Sequence, residues 1–323
     1  MYSAHYHLLL NHWPILGTII ALGLFLVAIF ANQESLKQIS LVLIVFLALM
    51  SIPAYMSGNA AQQALKDAPD LSMTMVENHQ GAAFISLLFM ELTGGLALLG
   101  LWRYSIPRKK GYPGARLSVG VTGIVLLFLV TTVAMMGITG NTGGNIRHPE
   151  IVTEPGAISA LGTLGGKIVP MVQDFVINYS MWIWPILEDL HFIGLILLVG
   201  ALGLLNIRIL GFLKPLPVAA LHRFVPWAIV GFAINIVTGI LFFIGMPNFY
   251  TNNPDFQWKM AFMVAAGTNL LLFYCTSAFR SVADVGPGDE APFTAKLVAA
   301  SSLFLWFSLI VLGRYMPFFE VLQ

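Results

Sequence analysis

The chain has 323 residues, of which 58% are hydrophobic and only 10% are charged. Soluble globular domains carry about 25% charged and about 45–50% apolar residues, so this composition predicts a polytopic membrane protein. The formal net charge of +1 gives no electrostatic reason to expect nucleic acid as a partner. The single cysteine, Cys275, excludes a disulfide framework, an iron–sulfur cluster and a C-x-x-C-H haem attachment within the chain.

Eight segments are long and apolar enough to cross a lipid bilayer as helices, which requires about 20 predominantly apolar residues each. They are residues 13–31, 39–57, 81–102, 117–137, 182–208, 224–245, 259–279 and 294–316. These runs are continuous rather than alternating, which excludes a closed β-barrel and predicts an all-α fold. We therefore expect two four-helix membrane modules, residues 1–137 and 182–323, separated by an extracytoplasmic loop of residues 138–181.

Lysine and arginine indicate the orientation of the helices, because cytoplasmic loops carry an excess of both residues. Most of them, including the run Arg108–Lys110, fall on the side opposite to the N-terminus. We therefore expect both termini outside the cytoplasm, in a bacterial inner membrane. The first residues lack the basic region and the cleavage site of a signal peptide, so we expect them in the mature protein.

The longest connection, residues 138–181, lies on the predicted outer side and opens with ITGNTGGNIRHPE. Its glycines permit tight turns and close backbone approach. Residues 157–178 have the pattern of an amphipathic helix that lies on the membrane surface. Because loops of this length are more often functional than idle, we expect this one to dock a partner.

The histidines are the residues best suited to hold a cofactor, because neutral imidazole is a strong ligand for iron, copper and zinc. Six of the seven fall on the predicted outer side, namely His5, His7, His12, His79, His148 and His191. His79 ends the polar stretch of residues 58–81, immediately before the third predicted span. His222 alone falls on the cytoplasmic side, where a contact with lipid headgroups or a helix cap explains it.

The six outer histidines have unequal claims to a ligand role. His5 and His7 lie near a chain terminus, where a solvated side chain is the simpler explanation. His12 follows a polar segment and precedes a tryptophan, so it fits the interfacial belt as well as it fits a ligand role. His79 and His148 both adjoin polar connections, and their common side favours a shared site.

Ionisable residues inside the predicted spans are functional candidates, because placing them in a bilayer is costly. His191 lies about 14 Å into the fifth span, with Glu188 one turn earlier on the same face. A simple hydrogen bond between those two side chains is the alternative to a ligand role. With Asp189, Glu188 is expected to orient a ligand or to take up protons. Glu91 lies near the middle of the third span, either in a proton relay or as a neutral acid at a helix contact.

A b-type haem (heme b) is the leading explanation for several histidines near one membrane face. Its iron takes axial nitrogen ligands, and its apolar ring packs between helices. We expect one or two haem groups, with axial pairs that the sequence does not specify. The candidate axial ligands are His12, His79, His148 and His191. A copper or zinc site built from His5, His7 and His12 is the rival, but it lacks a carboxylate at ligand spacing and any H-E-x-x-H helix.

The first half resembles a family of bacterial four-helix membrane proteins that is classed as a domain of unknown function. The resemblance is carried, within residues 5–150, by His12-Trp13-Pro14-Ile15, by Gly58, Ala61, Pro69 and His79, and by Gly143, Gly144 and His148. The family pattern has histidines at three of these positions, which implies a shared site at one membrane face. The second half, with EDLHFIGLILLVGALGLLNIRIL, is similar to small b-type cytochromes and copper-resistance membrane proteins. Unlike those cytochromes, the chain lacks a second histidine pair on the cytoplasmic side.

These patterns together predict a membrane subunit that passes electrons between membrane quinone and an extracytoplasmic cytochrome c or dehydrogenase, alongside other membrane subunits. Two other functions stay open. One is a non-redox anchor subunit of a larger complex, in which the outer histidines matter only for assembly. The other is a proton-coupled transporter that uses Glu91 and His191, although the sequence shows no clearly broken helices and no clean inverted repeat.

Overall fold

The structure, a computed structural model, describes residues 2–66, 71–105, 116–147, 157–275, 281–282 and 285–316. All regular secondary structure in this part of the chain is helical. The described helices are α1 (Tyr2–Leu10), α2 (His12–Phe30), α3 (Glu34–Ala64), α4 (Met73–Ser105), α5 (Val119–Arg147), α6 (Ala157–Ile177), α7 (Ile183–Leu210), α8 (Val218–His222), α9 (Val225–Gly245), α10 (Pro247–Asn252), α11 (Pro254–Cys275) and α12 (Phe293–Tyr315).

Seven described segments have the length and apolar composition of membrane spans. They are His5–Phe30, Glu34–Ala64, Met73–Tyr104, Val119–Ile146, Ile183–Leu210, Val218–Gly245 and Phe293–Tyr315. The chain is therefore an all-α, multi-pass membrane protein, as its composition predicts. The remaining predicted span, residues 259–279, overlaps α11, which is helical but falls outside these seven.

The first helices extend further into the polar connections than hydropathy predicts. α3 continues past residue 57 to Ala64, and α4 begins at Met73 rather than at residue 81. His79 therefore lies in the second turn of α4, and the prediction that it precedes this helix is wrong. The reason is that hydropathy reports the apolar part of a helix, whereas the backbone hydrogen bonds continue through polar residues that follow it.

The predicted loop of residues 138–181 is largely helical in the described part of the chain. α5 continues to Arg147, so the glycines expected to form turns after residue 137 lie in a helix instead. The amphipathic helix predicted for residues 157–178 is present as α6 (Ala157–Ile177). Residues 148–156, which include His148, lie outside the described residues.

The contacts divide the chain into two compact units, of which the first comprises residues 1–104, 115–179 and 244–252. Its helices α1 and α2 pack on α3. Small residues make this packing close: an added Cβ at Gly17 of α2 would lie 2.3 Å from Leu47 Cδ2 of α3. A Cβ at Gly94 of α4 would lie 2.4 Å from Ala48 Cβ of α3. Membrane helices commonly use small residues in this way, because dispersion contacts rather than hydrophobic burial hold them together.

Glu34 links three helices of the first unit at the opposite end of α4 from His79. Its Oε1 accepts a hydrogen bond from Lys37 Nζ at 2.8 Å. Its Oε2 accepts one from the Tyr104 hydroxyl and another from the backbone N–H of Leu117 at 3.2 Å. The start of α3, the end of α4 and the segment before α5 are thereby held together.

The second unit comprises residues 105–114, 180–243 and 253–323. Its core is apolar and includes Leu198 and Leu202 of α7, Ala228 of α9, Ala266 of α11 and Trp306 of α12. Helices α7 and α9 approach so closely that an added Cβ at Gly231 would lie 2.4 Å from the carbonyl oxygen of Gly194. This contact positions His191, which lies one turn before Gly194.

The end of α7 carries a fully buried arginine, Arg208. Its Nε donates to the carbonyl oxygen of Leu216 at 2.5 Å. Its Nη2 donates to the carbonyl oxygens of Gly286 at 2.7 Å and Asp289 at 3.2 Å. The guanidinium therefore joins the connection after α7 to the connection before α12, and its charged N–H groups donate to backbone carbonyl oxygens of both.

The same two connections are joined at the surface by Glu290. Its carboxylate accepts hydrogen bonds from Lys214 Nζ at 2.6 Å and from Lys296 Nζ at 2.5 Å. The two ammonium groups lower the pKa of Glu290 from its ordinary value of 4.5 to about 2, so the carboxylate stays charged at all physiological pH values.

Candidate functional site

His7 and His79 lie side by side in the first unit. The ring centroids are 6.2 Å apart and the ring planes are inclined at 68°. His7 comes from the second half of α1 and His79 from the second turn of α4. The pair thus forms because α1 is an ordered helix that packs on α3, next to the start of α4.

The hydrogen bonds of His7 assign its tautomer. Its Nδ1 lies 3.1 Å from the carbonyl oxygen of Ala54 and 3.2 Å from Ser57 Oγ. A carbonyl oxygen only accepts hydrogen bonds, and the Ser57 hydroxyl already donates to the same carbonyl at 2.8 Å. Nδ1 of the neutral ring is therefore the protonated nitrogen, and Nε2 carries the lone pair.

The hydrogen bonds of His79 lead to the same tautomer. Its Nδ1 lies 3.2 Å from Thr142 Oγ1 on α5. The single hydroxyl proton of Thr142 is donated to the carbonyl oxygen of Thr139 at 3.0 Å, so the hydroxyl oxygen accepts from the ring. His79 therefore also presents an unprotonated Nε2. Fixing one ring nitrogen so that the other is free is how proteins orient histidine ligands of metals.

Each ring edge rests against a glycine. An added Cβ at Gly58 of α3 would lie 3.0 Å from His7 Cε1, and one at Gly143 of α5 would lie 3.0 Å from His79 Cε1. Both distances are shorter than an ordinary van der Waals contact. The two glycines therefore leave the space that the imidazole rings occupy.

The histidine pair offers two imidazole nitrogens as candidate ligands of one metal ion. A metal–nitrogen bond is about 2 Å long, and each nitrogen lies about 1 Å from its ring centroid, so two imidazoles on opposite sides of an ion have centroids about 6 Å apart. The observed 6.2 Å is compatible with that spacing and equally with an ordinary edge-to-face ring contact. The donor set, two neutral imidazoles in an apolar helix bundle, also suits the axial positions of a b-type haem.

His12, a predicted ligand, lies elsewhere on the same unit. It is exposed, and its Nδ1 donates to the carbonyl oxygen of Leu8 at 2.8 Å. It borders a groove of about 290 Å³ between α2 and α3 that is otherwise lined by apolar side chains. Trp13 lines the same groove and packs edge-on against Phe46, with ring centroids 6.3 Å apart.

His191, the other predicted ligand inside a span, belongs to the second unit. Its Nδ1 lies 2.7 Å from Thr238 Oγ1 on α9, and its ring packs against Phe242 at a centroid distance of 5.7 Å. Glu188 is not its partner, because that carboxylate accepts a hydrogen bond from Trp184 Nε1 at 3.0 Å. The alternative of a Glu188–His191 hydrogen bond is therefore absent.

Both carboxylates that were expected to serve His191 are exposed on α7. Glu188 and Asp189 lie on the outer surface of the second unit. Glu91 lies in α4 as predicted, where its Oε1 is 3.0 Å from Ser51 Oγ of α3. It is 12 residues, or about 18 Å of helix, beyond His79.

The remaining histidines are distributed as follows. His5 is exposed on α1. His222 is buried, and its Nε2 lies 3.1 Å from the Tyr274 hydroxyl, so the expectation that it contacts lipid headgroups is wrong. Over the described ranges, three or more His, Cys, Asp or Glu side chains nowhere gather as a metal site. The rival arrangement of His5, His7 and His12 around one ion is thus not formed.

The sequence of residues 2–10 contains a signal for the helix that carries His7. Residues 2–10 contain neither glycine nor proline, and the first proline, Pro14, lies in the first turn of α2, where proline is tolerated. Nothing in these residues therefore prevents a helix. A histidine on a helix that packs against its neighbours has a fixed position, whereas a solvated residue at a chain terminus does not.

Comparison with protein-family models, with characterised proteins and with solved structures found no match to the chain. The resemblances inferred from the sequence therefore stay predictions.

Proposed function

We propose that the chain is a membrane b-type cytochrome-like subunit that passes electrons between membrane quinone and an extracytoplasmic redox partner. The observation that carries the proposal is the His7–His79 pair, with ring centroids 6.2 Å apart and a hydrogen-bonded Nδ1 on each ring. The proposal takes His7 and His79 as the axial pair, so it adds His7 to the predicted candidate ligands His12, His79, His148 and His191. A bound haem would supply one-electron transfer at the membrane face.

The residues around the pair hold the two rings in position. The carbonyl oxygen of Ala54 and the hydroxyl of Thr142 each accept the Nδ1–H of one ring, which fixes its rotation and raises the basicity of Nε2. The glycines at positions 58 and 143 let α3 and α5 close on the ring edges. A preorganised ligand pair of this kind needs little rearrangement when the iron changes charge.

The apolar groove beside His12 is the part of the first unit that suits the quinone. Its volume of about 290 Å³ lies at the small end of ligand pockets, and its apolar walls match an isoprenoid tail. It opens on the surface of α2, which exposes Leu16 and Ile20. The redox partner would meet the predicted extracytoplasmic segment of residues 138–181.

A reduced-minus-oxidised absorption spectrum of the purified chain, with a pyridine haemochrome count, tests the proposal. We expect a b-type signal that is lost in His7→Leu and in His79→Leu, because each variant removes one axial nitrogen. His191→Leu is the matched control and is expected to retain the signal. Full haem content in both His7→Leu and His79→Leu, or a colourless wild-type protein, contradicts the proposal and favours the non-redox anchor.

A further inference from the structure

Glu91 and Ser51 form an isolated polar contact in the middle of the first unit. The Glu91 Oε1 atom lies 3.0 Å from Ser51 Oγ, across the interface between α4 and α3. The two helices are in close contact here, since Gly94 of α4 faces Ala48 of α3. In the part of the chain that the structure describes, Ser51 is the side chain that hydrogen-bonds this carboxyl group.

The Ser51 hydroxyl has two neighbours but one proton. Its Oγ lies 2.7 Å from the carbonyl oxygen of Ala48 and 3.0 Å from Glu91 Oε1. The carbonyl oxygen only accepts, so when the hydroxyl proton is in the shorter contact, the contact with Glu91 is a hydrogen bond only if the carboxyl group carries a proton and donates it to Ser51. The positions of the oxygen atoms thus accommodate a neutral glutamic acid.

The ionised form of Glu91 also has a partner at this site. If the carboxyl group loses its proton, the Ser51 hydroxyl turns about its Cβ–Oγ bond and donates to the carboxylate. The carbonyl oxygen of Ala48 keeps the hydrogen bond that it accepts within the helix. Glu91 Oε1 and Ser51 Oγ are thereby hydrogen-bonded to each other in both protonation states after one hydroxyl rotation.

We propose that Glu91 is a reversible proton-binding site in the bilayer core, with Ser51 as the residue that positions its carboxyl group. The ligand is a proton: the carboxylate and one proton combine to give the carboxylic acid, and no other bond changes. Its place in the function rests on the proposed electron transfer. If the His7–His79 pair holds a haem, an electron on that haem, about 18 Å away along α4, would favour proton uptake at Glu91 and would be partly neutralised by it.

On α3, the ionisable side chain next in sequence to Ser51 is the Tyr55 phenol, four residues later, and the charged groups of α4 are far from Glu91 along that helix. His79 lies 12 residues before it and Arg103 lies 12 residues after it. On α3, the facing helix, Lys37 pairs with Glu34 at the far end, 14 residues before Ser51. Proton binding at Glu91 is therefore governed by its own carboxyl group and by the Ser51 hydroxyl.

Infrared difference spectroscopy of the purified chain tests this proposal. Spectra recorded between about pH 5 and about pH 9 should show a carbonyl band of a carboxylic acid that appears at the acid end and disappears at the alkaline end. The band should be absent in Glu91→Gln. It should remain in Ser51→Ala but shift in frequency, since the acid has lost its acceptor. Glu188→Gln, which changes an exposed carboxylate, is the matched control and should leave the band unchanged.

Two results would overturn the proposal. A Glu91 band that does not change over this pH range would identify a permanently neutral acid at a helix contact. A titrating band that survives in Glu91→Gln would place the proton elsewhere. The measurement requires no haem, so a colourless protein whose Glu91 band titrates contradicts the proposed electron transfer and leaves the proton site standing.

Discussion

Two glycines determine whether the imidazole rings of His7 and His79 can occupy their positions. Helix interiors disfavour glycine by about 0.5–1 kcal/mol relative to alanine, so a helical glycine that packs against a ring exchanges stability for space. Gly143 and Gly144 are adjacent in α5, and substituting each in turn distinguishes the cost of a helical glycine from the space that it leaves for the ring. An added Cβ at position 143 meets His79 Cε1 at 3.0 Å, whereas at position 144 it meets no atom within 4 Å.

We therefore expect Gly143→Ala and Gly144→Ala to differ in their effects on stability and on haem content. Gly144→Ala should raise the free energy of unfolding by about 0.5–1 kcal/mol and should leave haem content unchanged. In Gly143→Ala, the added methyl group should displace the His79 ring. This variant should therefore gain little free energy of unfolding and should bind less haem. Thermal unfolding and the haemochrome assay, run on both variants side by side, measure the two effects. Equal haem content in the two variants would mean that the His79 ring position is not set by this glycine.

Single histidines could be ranked from the sequence, but their pairing could not. His79 was predicted as a ligand because it follows a polar stretch, and the structure brings it to His7. That partner follows from the packing of α1 on α3, which is a tertiary contact with no local signal. His12, which the sequence places in a conspicuous motif, lies on an exposed surface beside a groove, and its predicted ligand role stays a prediction.

At the scale of whole elements, the crossing of α4 and α6 is the contact that tolerates substitution least. An added Cβ at Gly81 of α4 would lie 2.2 Å from the carbonyl oxygen of Gly162 and 2.3 Å from the backbone N of Gly166, both on α6. In the other direction, a Cβ at Gly165 would lie 2.0 Å from the carbonyl oxygen of Gly81. Backbone atoms have no rotamer by which to move aside, so any side chain here must separate the helices.

Gly81→Ala should therefore displace α6 from α4. Overpacking at a close contact costs about 1–3 kcal/mol, and backbone contacts belong at the upper end of that range. We expect a lower midpoint of thermal unfolding and faster tryptic cleavage after Lys167 in α6. Gly95→Ala is the matched control in the same helix, because a Cβ there meets nothing within 4 Å. Similar cleavage rates in the two variants would show that α6 does not depend on this crossing.

The sequence predicted which elements exist better than it predicted where they end. Apolar runs identified the spans, and the amphipathic pattern identified α6. The ends of α3 and α5 were missed because both helices continue through polar and glycine-rich residues, as far as Ala64 and Arg147. Neighbouring helices supply the contacts that keep those turns helical, and a hydropathy window does not contain them.

The number of membrane crossings is a property of the whole molecule, and it depends on α11. It is not among the seven described spans, yet it runs antiparallel to α12, which is one of them. Asn253, at the start of α11, donates to the carbonyl oxygen of Met316 at 2.9 Å. Asn269 donates to the carbonyl oxygen of Val298 at 3.2 Å and accepts from Ser301 Oγ at 3.1 Å. These contacts are 16 residues apart on α11, or about 24 Å of helix, which is most of the hydrocarbon thickness.

Because α11 follows α12 over that length, we expect it to cross the membrane as the eighth span, as the sequence predicts. Residues before α11 and after it must then face opposite sides. Single cysteines at Pro254→Cys and Pro287→Cys, both exposed positions, test this in a Cys275→Ser background. An impermeant maleimide added to one side of oriented vesicles should label one of the two variants and not the other.

Pro215→Cys provides the internal reference for this experiment. Residue 215 belongs to the connection that Arg208 joins to residues 286 and 289, so it must lie on the same side as residue 287. We expect Pro215→Cys and Pro287→Cys to be labelled together and Pro254→Cys to be labelled from the other side. Labelling of Pro254→Cys and Pro287→Cys from the same side would leave α11 outside the membrane core. Because the span Val218–Gly245 lies between residues 215 and 254, labelling of all three variants from one side would mean that this span does not cross the membrane either.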